Sequence, residues 1–487
     1  MDPPVSVARG VARGFLSISV GNLVSRGISF FALLYLARTL GPEAFGAVGW
    51  AQAALVFGTI TGDLGLQTLG VRVAAQEPEH APDVLSNYVS LRFLLSAASV
   101  ALLAGFALVS GQSTTVKHLT ILFGLTLLAA GLTTEWLFIG LQRMELVGLS
   151  RILQSASYAA LLLAFVRRVE DIFLVPLATG ASLLVSAGVL LYAFQRSHRG
   201  FRFQPSPSTW PALLRTALPL GLTDALVQVY VSLPILIIGW SWGETTTGYY
   251  NAAFRVVQVL NELLSLLFIS FYPIVAFRWK HAPETIRPLL ANVMKLMLVI
   301  TLPIAAGALV SGRQVLTVFL GPRFAGSILP FQILVWNLVP AAIGGVYKLL
   351  VLLMNGRQKE YLVVVGAGAA AGLVLNIALV PGLGCNGAAV ARIGSEIAVA
   401  VVGAVIARRY VSVALWRTFA RVTVGTLIVA VAGGGLVAAG VSVWTALATG
   451  AVAYVPTLLL IGGISRAEIG FLARVVCGRA PHPTTAA

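Results

Sequence analysis

From Gly14 to Gly463 the chain alternates long apolar stretches with short polar connections. Most stretches run to about 20 residues or more, the length that crosses a hydrocarbon core of roughly 30 Å as helix. Fourteen spans are predicted, at 15–39, 44–72, 84–110, 116–140, 147–167, 172–195, 212–240, 246–277, 287–311, 327–354, 360–380, 384–407, 422–439 and 443–463. The longer ones tilt or extend beyond the bilayer. The expected class is all-α: a polytopic membrane protein with about 14 transmembrane helices.

Polar positions inside the spans fall in stripes. In span 1, Ser19, Asn22, Arg26 and Ser29 recur at spacings of 3, 4 and 3, one face of a helix. In span 8, Asn251, Arg255, Gln258 and Glu262 recur at 4, 3 and 4. Span 2 carries Gln52, Thr59 and Asp63, and span 7 carries Asp224, Gln228 and Ser232. Arg26 lies near the middle of its span. A charge there costs roughly 2.5–3.5 kcal/mol on insertion scales, which disfavours a lipid-facing position. Spans 1, 2, 7 and 8 are therefore read as walls of a wet, cationic cavity. Arg26, Arg255, Asn22, Asn251 and Gln258 are its candidate substrate-binding residues, and Asp63, Asp224 and Glu262 are coupling or ion-pair acids.

A competing reading makes the intramembrane charges buried pairs that hold the bundle together. Arg392 and Glu396, one helical turn apart, fit it best. Arg92, Glu135 and Lys348 sit near span ends, where a long side chain reaches the interface cheaply. Arg26 has no acid at helical spacing in its own span, which favours function there; the alternative is a cross-helix partner such as Asp63 or Asp224.

Composition agrees with the pattern. Hydrophobic residues make up 58% of 487 and charged residues 10%, against about 25% in a globular domain. The net charge of +16 is accounted for mostly by loop asymmetry, not by a nucleic-acid surface. Twenty-one Lys and Arg, Arg143 and Arg151 among them, fall in the N-terminus, the even-numbered loops and the tail, against six in the odd-numbered loops. That bias places both termini in the cytoplasm and Cys385 near the outer face, with Cys477 inside. The first residues lack a small-residue cleavage site, so span 1 is read as retained. The five histidines show no metal-ligand spacing, and no nucleophile–base pair or Walker lysine is present. An enzyme is not expected, nor a metal, a catalytic residue or a cofactor. The glycines of GAGAAAG (Gly366–Gly372) lie inside a span and serve helix packing.

The longest polar connection, Gln195–Pro211, separates six spans from the next six. The expected layout is an N-lobe at 1–195, a cytoplasmic linker at 196–211, a C-lobe at 212–410, extra helices at 411–463 and a cytoplasmic tail at 464–487. At an offset of 202, Gly41 and Gly46 match Gly243 and Gly248, Asn22 matches Asp224, and Arg26 matches Gln228. At 216, Gly140, Gln142 and Arg143 match Gly356, Gln358 and Lys359. Six spans per half give a parallel repeat. Spans 13 and 14 carry no internal charge and are read as lipid-facing additions.

The segments ARTLGPEAFGAVGWAQA (Ala37–Ala53) and GDLGLQTLGVR (Gly62–Arg72), with the Gly-x-Gln loops at Gly140 and Gly356, resemble those of Wzx-type polysaccharide flippases. These belong to the multidrug/oligosaccharidyl-lipid/polysaccharide exporter superfamily. The resemblance covers residues 1–410. It implies two six-helix lobes in a V with two extra C-terminal helices, the pair resembling the tail-groove helices of lipid II flippases. It further implies a transporter of an undecaprenyl-pyrophosphate-linked oligosaccharide, acting in the bacterial cytoplasmic (inner) membrane for O-antigen or exopolysaccharide synthesis. A proton or sodium gradient or the membrane potential would drive it. Membrane lipids, a polysaccharide polymerase and glycosyltransferases are the expected partners, and nucleic acid is not. Arg suits such cargo because its planar donor fork matches phosphate oxygens. Two other classes compete. An ion-coupled drug exporter of the same superfamily predicts intramembrane acids in excess, whereas six cations face five acids here. A non-transporting scaffold for glycan assembly needs no polar stripes.

Overall fold

The computed structural model describes residues 5–198, 202–411 and 416–465. Every regular element among them is helical. The tail from 466, including Cys477, lies outside the described residues. Eleven helices are long and apolar enough to cross a membrane, where the sequence predicts about fourteen. Three of the eleven are interrupted by a glycine of positive φ: Gly41, Gly243 and Gly384. These fall at the expected loops between spans 1 and 2, 7 and 8, and 11 and 12. Helix resumes on both sides of a single bent residue, so a break in hydropathy and a break in helix are counted differently.

The chain folds into two compact units, 1–251 with 380–385, and 252–379 with 386–487. The division falls inside a helix. In the first unit, α1 (Val5–Asp63), α2 (Leu66–Gln76), α3 (Ala81–Val109), α4 (Thr114–Gly131), α5 (Glu135–Gly140), α6 (Met144–Phe165), α7 (Leu174–Ser197) and the start of α8 (Trp210–His281) follow in order. Gly41 takes φ 74° and ψ 177°, and Gly243 takes φ 78° and ψ −173°. Only glycine adopts that region without strain. Pro42 then starts the second half of α1, where its missing N–H costs nothing.

The two breaks pack against each other. A Cβ on Gly46 would meet the Glu244 carbonyl and lie 2.6 Å from the Gly248 nitrogen. A Cβ on Gly248 would meet the Pro42 carbonyl. The matched glycines of the repeat are thus each other's partners, and backbone touches backbone. Trp50, fully buried, locks the same end. It donates to the Leu236 carbonyl at 3.3 Å and lies edge-on to Trp240. Trp240 donates to Ser110 O at 3.0 Å, Ser113 donates to the Glu244 carboxylate, and Trp242 donates to Val380 O at 2.9 Å. Loops expected between spans 1–2, 3–4, 7–8 and 11–12 meet here.

The second unit holds the rest of α8, then α9 (Ile286–Leu320), α10 (Ile328–Val335), α11 (Leu338–Gly345), a π-helix (Val346–Leu353), most of α12 (Gln358–Ala407), α13 (Trp416–Ala438) and α14 (Val443–Leu460). Gly345 leaves room for Phe268, and Trp279 donates to Leu350 O within the π-helix at 3.1 Å. Hydroxyls inside the spans bond back to their own helix, as Thr301 does to Met297 O (2.8 Å) and Ser311 to Gly307 O (2.7 Å). The helices α13 and α14 pair with each other and lie on α9. Their outer positions are open, with Val431 73%, Val452 77% and Leu460 89% exposed. Apolar surface of that extent suits lipid, not water.

A turn of the same form follows the fourth span of each half of the chain. Gln142 (φ 57°) and Gly356 (φ 71°) each take left-handed backbone. The next residue, Arg143 or Arg357, donates its N–H five residues back, to Phe138 O or Leu352 O, at 2.9 Å in both. This is a helix C-terminal cap. The turns therefore correspond at an offset of 214, not the 216 that matching letters suggest.

Candidate functional site

Gly21 on α1 faces Gly148 on α6, and a Cβ on Gly21 would sit 2.7 Å from the Gly148 Cα. Close approach through small residues is how apolar helices associate. It brings the polar stripe of α1 against α6. Arg151 donates through Nη1 to Asn22 Oδ1 at 2.6 Å. Its Nε and Nη2 both reach Glu135 Oε2, at 3.0 and 2.8 Å. Arg26, four residues after Asn22, is on the same helical face and is exposed, as is Ser29.

Sequence reasoning counts Arg151 as a loop cation, yet it lies inside α6 and faces span 1. The signal was there: Arg151, Gln154 and Tyr158 recur at spacings of 3 and 4. Glu135, assigned to a span end, begins the six-residue α5 beside it.

The second charge pair has a different character. Arg92 is 3% exposed on α3. Its Nε meets Asp63 Oδ1 at 3.1 Å, and its Nη1 and Nη2 donate to Thr133 O and Ala130 O at 2.7 and 3.2 Å. Asp63 Oδ2 accepts from the N–H groups of Gly65 and Gln67, at 3.2 and 3.4 Å, where α1 gives way to α2. Leu64 (φ 48°) and Gly65 (φ 86°) make that turn. Asp63 thus joins three elements and caps one of them.

The remaining candidates are spread over both units. Asn251 is buried against Gly49 in the first unit. The side chain of Asp224 lies outside the described residues. Arg255, Gln258 and Glu262 are half-buried on α8 in the second unit. Arg392 and Glu396 pair at 3.2 Å across one turn of α12. Between α9, α13 and α14 lies an apolar cavity of about 460 Å³, lined by Ile304, Gly307, Val429, Gly433, Leu447 and Tyr454 among others. Its polar spot is the Thr426–Tyr454 hydroxyl pair, at 3.2 Å.

Comparison with known proteins places this arrangement. Residues 11–277 match the family model described as "Polysaccharide biosynthesis protein". The chain is 23% identical over 382 residues to the "Putative O-antigen transporter" of Escherichia coli (strain K12), covering 75% of this chain and 89% of that one. It is 20% identical over 378 residues to a protein of the same name from Shigella dysenteriae, covering 76% and 93%. Among solved structures, lipid II flippase MurJ in an inward closed conformation aligns with a TM-score of 0.71 at 14% identity, over 91% of this chain and 98% of that one. An inward-facing multidrug resistance MATE family transporter of the MOP superfamily aligns with a TM-score of 0.62 at 16% identity, over 81% and 97%. The fold is shared with these solved transporters, and the chain belongs to the polysaccharide biosynthesis protein family.

Proposed function

We propose that this protein is a flippase for a lipid-linked oligosaccharide, carried on undecaprenyl pyrophosphate from the cytoplasmic to the outer leaflet by alternating access. The observation that carries this reading is the stripe of α1, where an exposed Arg26 stands one turn from Asn22 on the same helical face. A pyrophosphate head needs such a cationic face, and a lipid tail needs an apolar one. Arg26 is the principal head contact of the first unit, and Arg255 and Gln258 are candidate head contacts on the α8 stripe of the second. The cavity among α9, α13 and α14 has the lining a lipid tail requires. An ion gradient or the membrane potential supplies the energy.

The spans number fourteen on this reading, with α1, α8 and α12 each crossing twice. A continuous 43-residue helix would be about 64 Å long, twice the hydrocarbon thickness. Both termini are cytoplasmic, and the end sealed by Gly46 and Gly248 faces outward. Half-buried Cys385 lies in that end. In intact cells a membrane-impermeant maleimide is expected to modify Cys385 and spare Cys477, and the reverse pattern overturns the orientation.

Function is tested by complementation. The wild-type gene, expressed in a flippase-null strain that makes the matching glycan, is expected to restore surface polysaccharide. Normal membrane levels of protein without restoration sink the proposal.

A further inference from the structure

Two Arg–carboxylate pairs among the described residues of the first unit are built to opposite specifications. The Arg92 side chain is 4% exposed and holds two backbone carbonyls besides its acid. The Arg151 side chain is 32% exposed, that of Glu135 is 21%, and the only other contact of the guanidinium described is the Asn22 amide. A part-exposed pair contributes little to stability, so its acid is cheap to exchange.

We propose that Arg151 is a second phosphate-binding cation of this site and that Glu135 is its resident counter-ion, displaced when a pyrophosphate-type anion arrives. This deepens the flippase reading and rests on it for the source of the anion. Three features carry it. Both Nε and Nη2 converge on one oxygen, Glu135 Oε2, a place that a single phosphate oxygen fills equally well. The third contact, from Nη1 to Asn22 Oδ1, does not involve the acid, so it holds the guanidinium in place while the acid leaves. The charges favour the exchange. A doubly charged phosphate is drawn to the Arg151 guanidinium more strongly than the single carboxylate it replaces.

The test uses the full-length protein in nanodiscs, with farnesyl pyrophosphate as probe and inorganic pyrophosphate as the tail-free control. Glu135→Gln keeps the size of the acid and removes its charge, and is expected to bind both probes roughly ten-fold more tightly. Arg151→Ala is expected to bind them roughly ten-fold more weakly, and Arg151→Lys to fall between it and wild type. The double variant Glu135→Gln/Arg151→Ala should match Arg151→Ala, because the counter-ion matters only through the arginine. A merely structural pair predicts that Glu135→Gln binds no tighter than wild type, and that result overturns the inference. If Arg151→Ala is unstable, Glu135→Gln and Arg151→Lys decide alone. The flippase reading fails separately. Wild type that binds the probes in this pattern but does not restore polysaccharide upholds the anion site and removes the cargo assignment. Wild type that restores polysaccharide while Glu135→Gln binds no tighter removes the counter-ion and leaves the flippase.

Discussion

Arg26→Glu is expected to abolish transport while the protein remains in the membrane at normal level. Arg26 is exposed on α1, so its charge acts on whatever enters that face. Reversing the sign turns attraction to a phosphate into repulsion. At about 4 Å and an effective dielectric of about 20, one such contact is about 4 kcal/mol. Losing it alone lowers occupancy roughly a thousand-fold. Arg26→Lys keeps the charge and loses the two-pronged donor geometry, so partial activity is expected. Arg202→Ala, an exposed loop cation, should behave as wild type. The measurement is surface polysaccharide in the null strain, with membrane abundance read by blot. Full activity of Arg26→Ala at normal abundance shows that the residue is dispensable.

Most of the helical layout was legible because membrane spans are written in one variable, hydropathy, over about 20 residues. The repeat was legible where geometry leaves no choice of residue. Gly41 and Gly243 share a backbone conformation that only glycine adopts, and Gly46 and Gly248 leave no room for a Cβ, so these letters align at 202. The turns after spans 4 and 10 misled for the converse reason. Left-handed backbone is cheap for glycine but adoptable by glutamine, so Gln142 and Gly356 fill equivalent places under different letters. Matching glycine to glycine shifted the register by two.

Side-chain partners were less legible. Arg151 is near enough to a helix start to read as a loop residue, and only the glycine contact of Gly21 with Gly148 places it on the stripe. Nothing in the sequence says that Arg92 and Asp63, on different helices, find each other. Cross-helix pairing is a tertiary property, whereas Arg392 and Glu396 sit one turn apart and could be paired on paper.

The pair of Arg92 and Asp63 carries the largest expected effect on stability, and it also decides what Asp63 is for. Arg92→Ala leaves the Asp63 carboxylate without its cation and removes the donors to Thr133 O and Ala130 O. Breaking one side of a buried pair costs about 3–5 kcal/mol, a large share of the stability of a domain. The variant is expected to be nearly absent from the membrane. Asp63→Ala removes the charge partner and the cap on Gly65 and Gln67 together, and should be comparably damaging. Asp63→Asn is the informative change. It keeps an oxygen to accept those backbone N–H groups and loses only the charge, so a structural acid predicts intermediate abundance with activity falling in proportion to protein. A coupling acid predicts the opposite split: Asp63→Asn at full abundance, with a normal unfolding temperature after purification, and no polysaccharide at the surface. Arg92 is closed off from the surroundings and held at three points, so the structural outcome is the expected one.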